Sequence, residues 1–82
     1  LSNVTGGRFK IDSLDAGNAA GKSVSELELP QETLVIAVTR GDEVLFPKKE
    51  TVLEDGDALV LLAENRKALQ KARKRLEKKG LT

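Results

Sequence analysis

Cysteine and histidine are both missing from the 82 residues, and the two absences remove much of the chemistry open to a small protein. Without cysteine there is neither a disulfide framework nor a thiolate metal site. Without histidine the usual general base, the commonest transition-metal ligand and the physiological-pH switch go together. The only aromatic residues are two phenylalanines, so a core has to be aliphatic and there are few rings on which bases could stack. No apolar run approaches the roughly 20 residues that span a bilayer, and no signal-peptide pattern opens the chain, which reads as soluble. It begins at Leu1 rather than methionine, so the expectation is a fragment of a longer polypeptide, with part of any function in the missing portion.

The residues present point to one domain near the lower size at which a single core suffices. A net charge of +1 hides a strong asymmetry. Arg66, Lys67, Lys71, Arg73, Lys74, Arg75, Lys78 and Lys79 face one acid, Glu77, giving +7 between residues 66 and 79. The remainder holds 6 basic and 12 acidic residues, giving −6. The pattern is an acidic domain with a basic terminal helix.

The segment 33–63 organises the rest and reads as an antiparallel β-meander. Thr33 to Thr39 is apolar and β-branched, with Leu34, Ile36 and Val38 expected on one face and Val35 and Ala37 on the other. Arg40-Gly41-Asp42 is a turn, Glu43 to Phe46 returns, and Pro47, lacking an N–H, stops it. Glu54-Asp55-Gly56-Asp57 turns the chain into a last apolar strand, Ala58 to Ala63. Before the meander, residues 1–7 read as a linker or cloning remnant, with the folded unit at 8–80. Arg8 to Asp12 alternates as a half-wet strand, Ser13 to Lys22 is a loop, and Ser23-Val24-Ser25-Glu26 has capping-box spacing for a short helix that Pro30 ends. Asn65 caps a final helix, Arg66 to Lys79, that Gly80 closes. The fold class is therefore α+β: a small antiparallel sheet with two helices in β-α-β-β-β-α order. The last helix has a narrow apolar stripe, Ala68, Leu69, Ala72 and Leu76, too slim to cover both faces of a sheet whose strands are apolar on both sides. One face or edge is expected to meet a second chain.

Catalysis finds no support. Ser2, Ser13, Ser23 and Ser25 lie outside any nucleophile elbow, and Gly6-Gly7 and Gly17 to Gly21 match neither phosphate-binding pattern. Glu54, Asp55 and Asp57 crowd three carboxylates into four residues, the weak candidates for a metal. Leu59 and Leu61 then stand where a calcium loop would continue with oxygen ligands, so a solvated turn is the plainer reading. Arg40-Gly41-Asp42 spells an adhesion tripeptide but already has work as a turn. The basic helix suits phosphate neutralisation on nucleic acid or an anionic membrane, although its charges are spread around the helix and a solvated face explains them as well.

Taken together, Gly21-Lys22-Ser23-Val24-Ser25-Glu26-Leu27-Glu28-Leu29-Pro30, the apolar strand, Arg40-Gly41-Asp42, Pro47 and Glu54-Asp55-Gly56-Asp57 before a second apolar strand resemble the RCK C-terminal (TrkA-C) regulatory domain over about Phe9 to Leu76. The resemblance implies a cytoplasmic, dimeric, ligand-binding regulatory domain of a potassium or other monovalent-cation transport system, whether channel, Trk/Ktr uptake system or cation/proton antiporter. Such a domain works at the inner face of the membrane, with the transporter subunit as partner or as the transmembrane part of the same chain. It implies no enzymatic activity and no cofactor. Some members bind cyclic di-AMP between two subunits, which by position places Leu29, Gln31, Thr33, Val35 and Pro47 near the pocket. Where those binders carry an arginine before the second strand, this chain reads Pro30-Gln31-Glu32, leaving the ligand open between cyclic di-AMP, another small molecule and none. The alternatives are a basic-helix module docking on nucleic acid or anionic membrane, and a purely structural dimerisation domain.

Overall fold

Two strands apolar on both faces and a shorter alternating one build a sheet, and one amphipathic segment closes one of its sides. The computed structural model describes residues 9–77. Its strands are β1 (Lys10–Asp15), β2 (Thr33–Arg40), β3 (Glu43–Leu45) and β4 (Ala58–Ala63), and its α-helix is α1 (Arg66–Glu77). All pairings are antiparallel and the order across the sheet is β1-β4-β2-β3. This corrects the expected meander. The last strand does not lie beside β3 but enters between β1 and β2, because its doubly apolar sequence is best satisfied by neighbours on both edges.

Leu59, Leu61 and Ala63 of β4 point at α1 and are wholly buried, as are Val38, Leu27 and Leu53. Burying each leucine contributes about 1.5–3 kcal/mol. The helix seats on this face through Ala68, Ala72 and Leu76, with Leu69 half-buried beside them. Small alanines let it approach closely. Asn65 caps it as expected, accepting the Ala68 N–H on Oδ1 at 2.8 Å. Lys78, Lys79 and the expected stop at Gly80 lie outside the described residues, as does the segment 1–7. None of the helices described is long and apolar enough to cross a membrane.

The expectation of two helices is overturned. The segment after Ser23 forms only a 3₁₀ turn, Ser25–Leu27, and a second such turn sits at Gly17–Ala19. Half of the capping box forms, with Glu26 Oε1 accepting the Ser23 N–H at 2.8 Å. Ser23 Oγ instead meets Ser25 Oγ at 3.2 Å. Too few residues remain before Pro30 to offset the cost of helix nucleation. Glu28 leaves the turn in a left-handed conformation (φ 51°, ψ 48°), aiming the chain toward β2. A further correction concerns β2 itself. A register shift between Val35 and Ala37 inserts Ile36 as a bulge, so Val38 joins Val35 on the helix side instead of sharing a face with Leu34 and Ile36.

Candidate functional site

One face of the sheet carries α1 and the other carries nothing from this chain. Residues opposite one another in a ladder share a face. The pairs Ile11 with Leu62, Ser13 with Val60, Leu34 with Leu62, Ala37 with Val60, and Thr39 with both Val44 and Ala58 therefore define the outer face. Ile11 is 65% exposed, Leu34 59% and Val44 55%. Among the described residues the register sets one ionisable side chain on this face, Asp15 at a corner of the edge strand β1. Apart from Asp15 the face is uncharged and largely aliphatic, which makes it a candidate interaction face.

At one end this surface runs into a shallow cleft of about 180 Å³ lined by Phe9, Gln31, Glu32, Thr33, Leu34, Leu62 and Glu64. Beside it, a larger cleft of about 370 Å³ lies between the turn before β2 and the helix, bounded by Glu28, Pro30, Gln31, Glu32, Lys71 and Arg75. Gln31 borders both. The turn that holds it is pinned by Thr33, whose N–H and Oγ1 both donate to the Pro30 carbonyl at 3.1 and 2.7 Å. The Glu64 N–H also ties to the Glu32 carbonyl at 2.9 Å.

Of the five residues assigned to a ligand pocket, Gln31 and Thr33 thus line the smaller cleft, although the register pairs Thr33 with Ala63 and so sets its side chain on the helix side. Leu29 and Val35 pack against the core on the helix side. Pro47 follows β3 at the far edge and lines neither cleft. Counting the β2–β3 register two residues past Leu45 brings Pro47 to the level of Ile36, beside the bulge.

The acidic turn has a different occupation from a metal site. Because Thr39 pairs with Ala58, the next residues outward, Arg40 and Asp57, fall side by side. Arg40 Nε and Nη2 donate to Asp57 Oδ1 and Oδ2 at 2.9 and 2.8 Å. Glu54 N–H donates to Asp57 Oδ2 at 2.8 Å, and Glu54 Oε2 lies 3.1 Å from Arg40 Nη1. Asp57 is wholly buried. The forked bond from Arg40 holds its carboxyl below the ordinary value against the opposing effect of burial, helped by the Glu54 N–H. Among the described residues no cluster of three acidic side chains is placed to hold a metal ion. Arg40 is turned into this latch, which leaves the adhesion tripeptide without a free guanidinium. Sequence reading missed the pair, and its signal was there: an arginine ending β2 and an aspartate preceding β4, at the same end of two pairing strands.

Compared with known proteins, the chain matches the family model described as the TrkA-C domain over residues 12–77. It is 36% identical over 73 residues to a Trk system potassium uptake protein TrkA homolog of Pyrococcus horikoshii, covering 88% of this chain and 31% of that protein. It is 31% identical over 67 residues to the Trk system potassium uptake protein TrkA of Halomonas elongata, covering 82% and 14%. The chain thus spans a third or less of these curated relatives. Among solved structures, the RCK C domain of the potassium transport protein KtrA in complex with cyclic diadenosine monophosphate superposes with a TM-score of 0.75 at 27% identity, covering 89% of each chain. An RCK domain solved with "cda" shares the fold, with a TM-score of 0.70 at 16% identity, covering 82% of this chain and 97% of the other.

Proposed function

The chain belongs to the TrkA-C domain family, and from that premise we propose that it is the regulatory, ligand-binding and dimerising domain of a potassium or other monovalent-cation transport system. Residues 8–80 form the regulatory unit and 1–7 a linker or cloning remnant. The unit works in the cytoplasm, at the inner face of the membrane, beside or covalently continuous with the transporter, and has no catalysis of its own. The observation that carries the reading is the uncharged outer face of the sheet ending in the Gln31–Thr33 cleft. Two such faces packed together exclude water from aliphatic surface and bring two clefts, one from each subunit, to a shared boundary. Leu29, Val35 and Pro47 frame that boundary from behind and from the edge.

Cyclic di-AMP is the ligand we test first, since the KtrA domain that this chain resembles is solved with it. A symmetric dinucleotide suits a two-fold boundary. Glu32 and Glu64 at the cleft oppose its phosphates, so its adenines rather than its phosphates face this end of the pocket. A ligand acts on gating only if it binds one arrangement of the two subunits more tightly than the other. Calorimetric titration with cyclic di-AMP, run beside light scattering, tests both halves. One ligand per two chains, on a dimer, is the expected result. A dimer that binds no nucleotide makes this a structural coupling domain, and a monomer at tens of micromolar removes the shared pocket altogether.

A further inference from the structure

The helix carries cations that the fold does not use. Of the six basic residues from Arg66 to Arg75, two are engaged. Arg73 Nη2 lies 2.9 Å from Asp12 Oδ2, and Arg75 Nη2 lies 2.7 Å from Glu28 Oε1 while its Nε donates to the Leu27 carbonyl at 3.2 Å. Arg66, Lys67, Lys71 and Lys74 are exposed and make no ion pair with any described residue. At about 100° per residue, these four fall within an arc of roughly 140° on the side away from the sheet, which they share with one exposed acid, Glu77, at the end of the helix. The structure therefore turns a helix that is basic all round into one with a single cationic ridge.

We propose that this ridge adsorbs to an anionic lipid surface. The ridge is convex and offers no groove for an extended strand. It holds no aromatic residue, so nothing on it can stack a base, which sets single-stranded nucleic acid aside. Its outward arc has no large apolar side chain, so contact is electrostatic and stops at the headgroups without insertion. Three of the four cations are lysines, whose long stems let several ammonium groups settle on a fluid array of phosphates without fixed geometry. The apolar face lies on the opposite side of the sheet, so adsorption leaves it free for a second copy. Four charges give weak binding, adequate for a domain that a transport protein already keeps beside a bilayer. In that respect alone the proposal rests on the reading above.

The test is flotation of the 82-residue chain with vesicles of phosphatidylcholine alone and of phosphatidylcholine mixed with phosphatidylglycerol. Binding is expected only to the mixed vesicles, and it should vanish as salt rises. The triple variant Lys67→Gln, Lys71→Gln, Lys74→Gln should lose about a hundredfold in partitioning, roughly fivefold per charge. Glutamine keeps helix propensity, so folding is preserved. The double variant Lys48→Gln, Lys49→Gln, on the exposed connection before β4, should keep most of the binding. No binding to mixed vesicles at low salt, equal losses in both variants, or tighter binding to a single-stranded oligonucleotide than to vesicles would each overturn the proposal. Lys71 also borders the larger cleft, so the control is the oligomeric state. The triple variant should still dimerise as the parent does, and loss of vesicle binding with the dimer intact separates failure of the ridge from failure of the regulatory reading.

Discussion

Strand β4 presents two kinds of leucine one residue apart. Leu61 is sealed beneath α1, while Leu62 on the outer face stays partly exposed. Both belong to the same apolar run, yet one is held by this chain and the other waits for something outside it. The difference shows that an apolar run does not by itself say which of its residues a single folded chain buries: docking of α1 covers one face of β4 and leaves the other to the proposed second chain.

The comparison can be broken most forcefully at Leu61. Leu61→Ala should cost about 3 kcal/mol in urea unfolding, independent of protein concentration, because the cavity lies inside one chain. A loss below about 1 kcal/mol would mean that α1 is loosely seated. Next comes the latch: Asp57→Ala strands Arg40 and should cost about 2 kcal/mol. The same pair predicts acid sensitivity. Asp57 titrates below its ordinary value of 3.8 in the folded chain, so its contribution is complete above that value and fades as pH falls through the folded one. Asp57→Asn should flatten stability below about pH 4, and an unchanged acid limb would show that other carboxylates govern it. Removing the helix cap with Asn65→Ala should cost about 1 kcal/mol, seen as a lower urea midpoint with an unchanged slope.

The smallest effect on the fold sharpens the contrast most. Ile11→Glu on the outer face should change the intrinsic stability of one chain by no more than about 0.5 kcal/mol, while light scattering shows the dimer lost. If the variant remains dimeric, the chains meet elsewhere.

Much of the fold was readable because it rests on local rules. The apolar strands beginning at Thr33 and Ala58, the Asn65 cap and the Ala68-Ala72-Leu76 stripe follow from periodicity and capping chemistry. What escaped reading depends on contacts distant in sequence. The strand order places β4 between partners that lie far before it in the chain, and the Ile36 bulge that moves Val38 to the core side is set by β4. The second helix failed through a balance too fine for a motif to reveal, since half a capping box cannot stabilise so few residues before a proline. Of the candidate site, the sequence pointed to Gln31 and Thr33, which share a cleft. It did not reveal that Leu29 and Val35 sit on the helix side, because facing depends on register rather than composition.

By itself the amino-acid sequence determined where the two apolar strands lie, that the core is aliphatic, that histidine and cysteine chemistry is closed, and that positive charge collects in the last helix. Each is a property of composition or of near neighbours in the chain. The first strand it ended at Asp12, whereas pairing with β4 carries that strand through Ser13 and Leu14 to Asp15. Tertiary structure alone decided which face of the sheet α1 covers, that Arg40 and Asp57 close into a buried pair, and which cations of the helix are left over. These depend on the register of β4 against β1 and β2 and on which acids the docked helix meets, and no local rule carries either across the intervening chain.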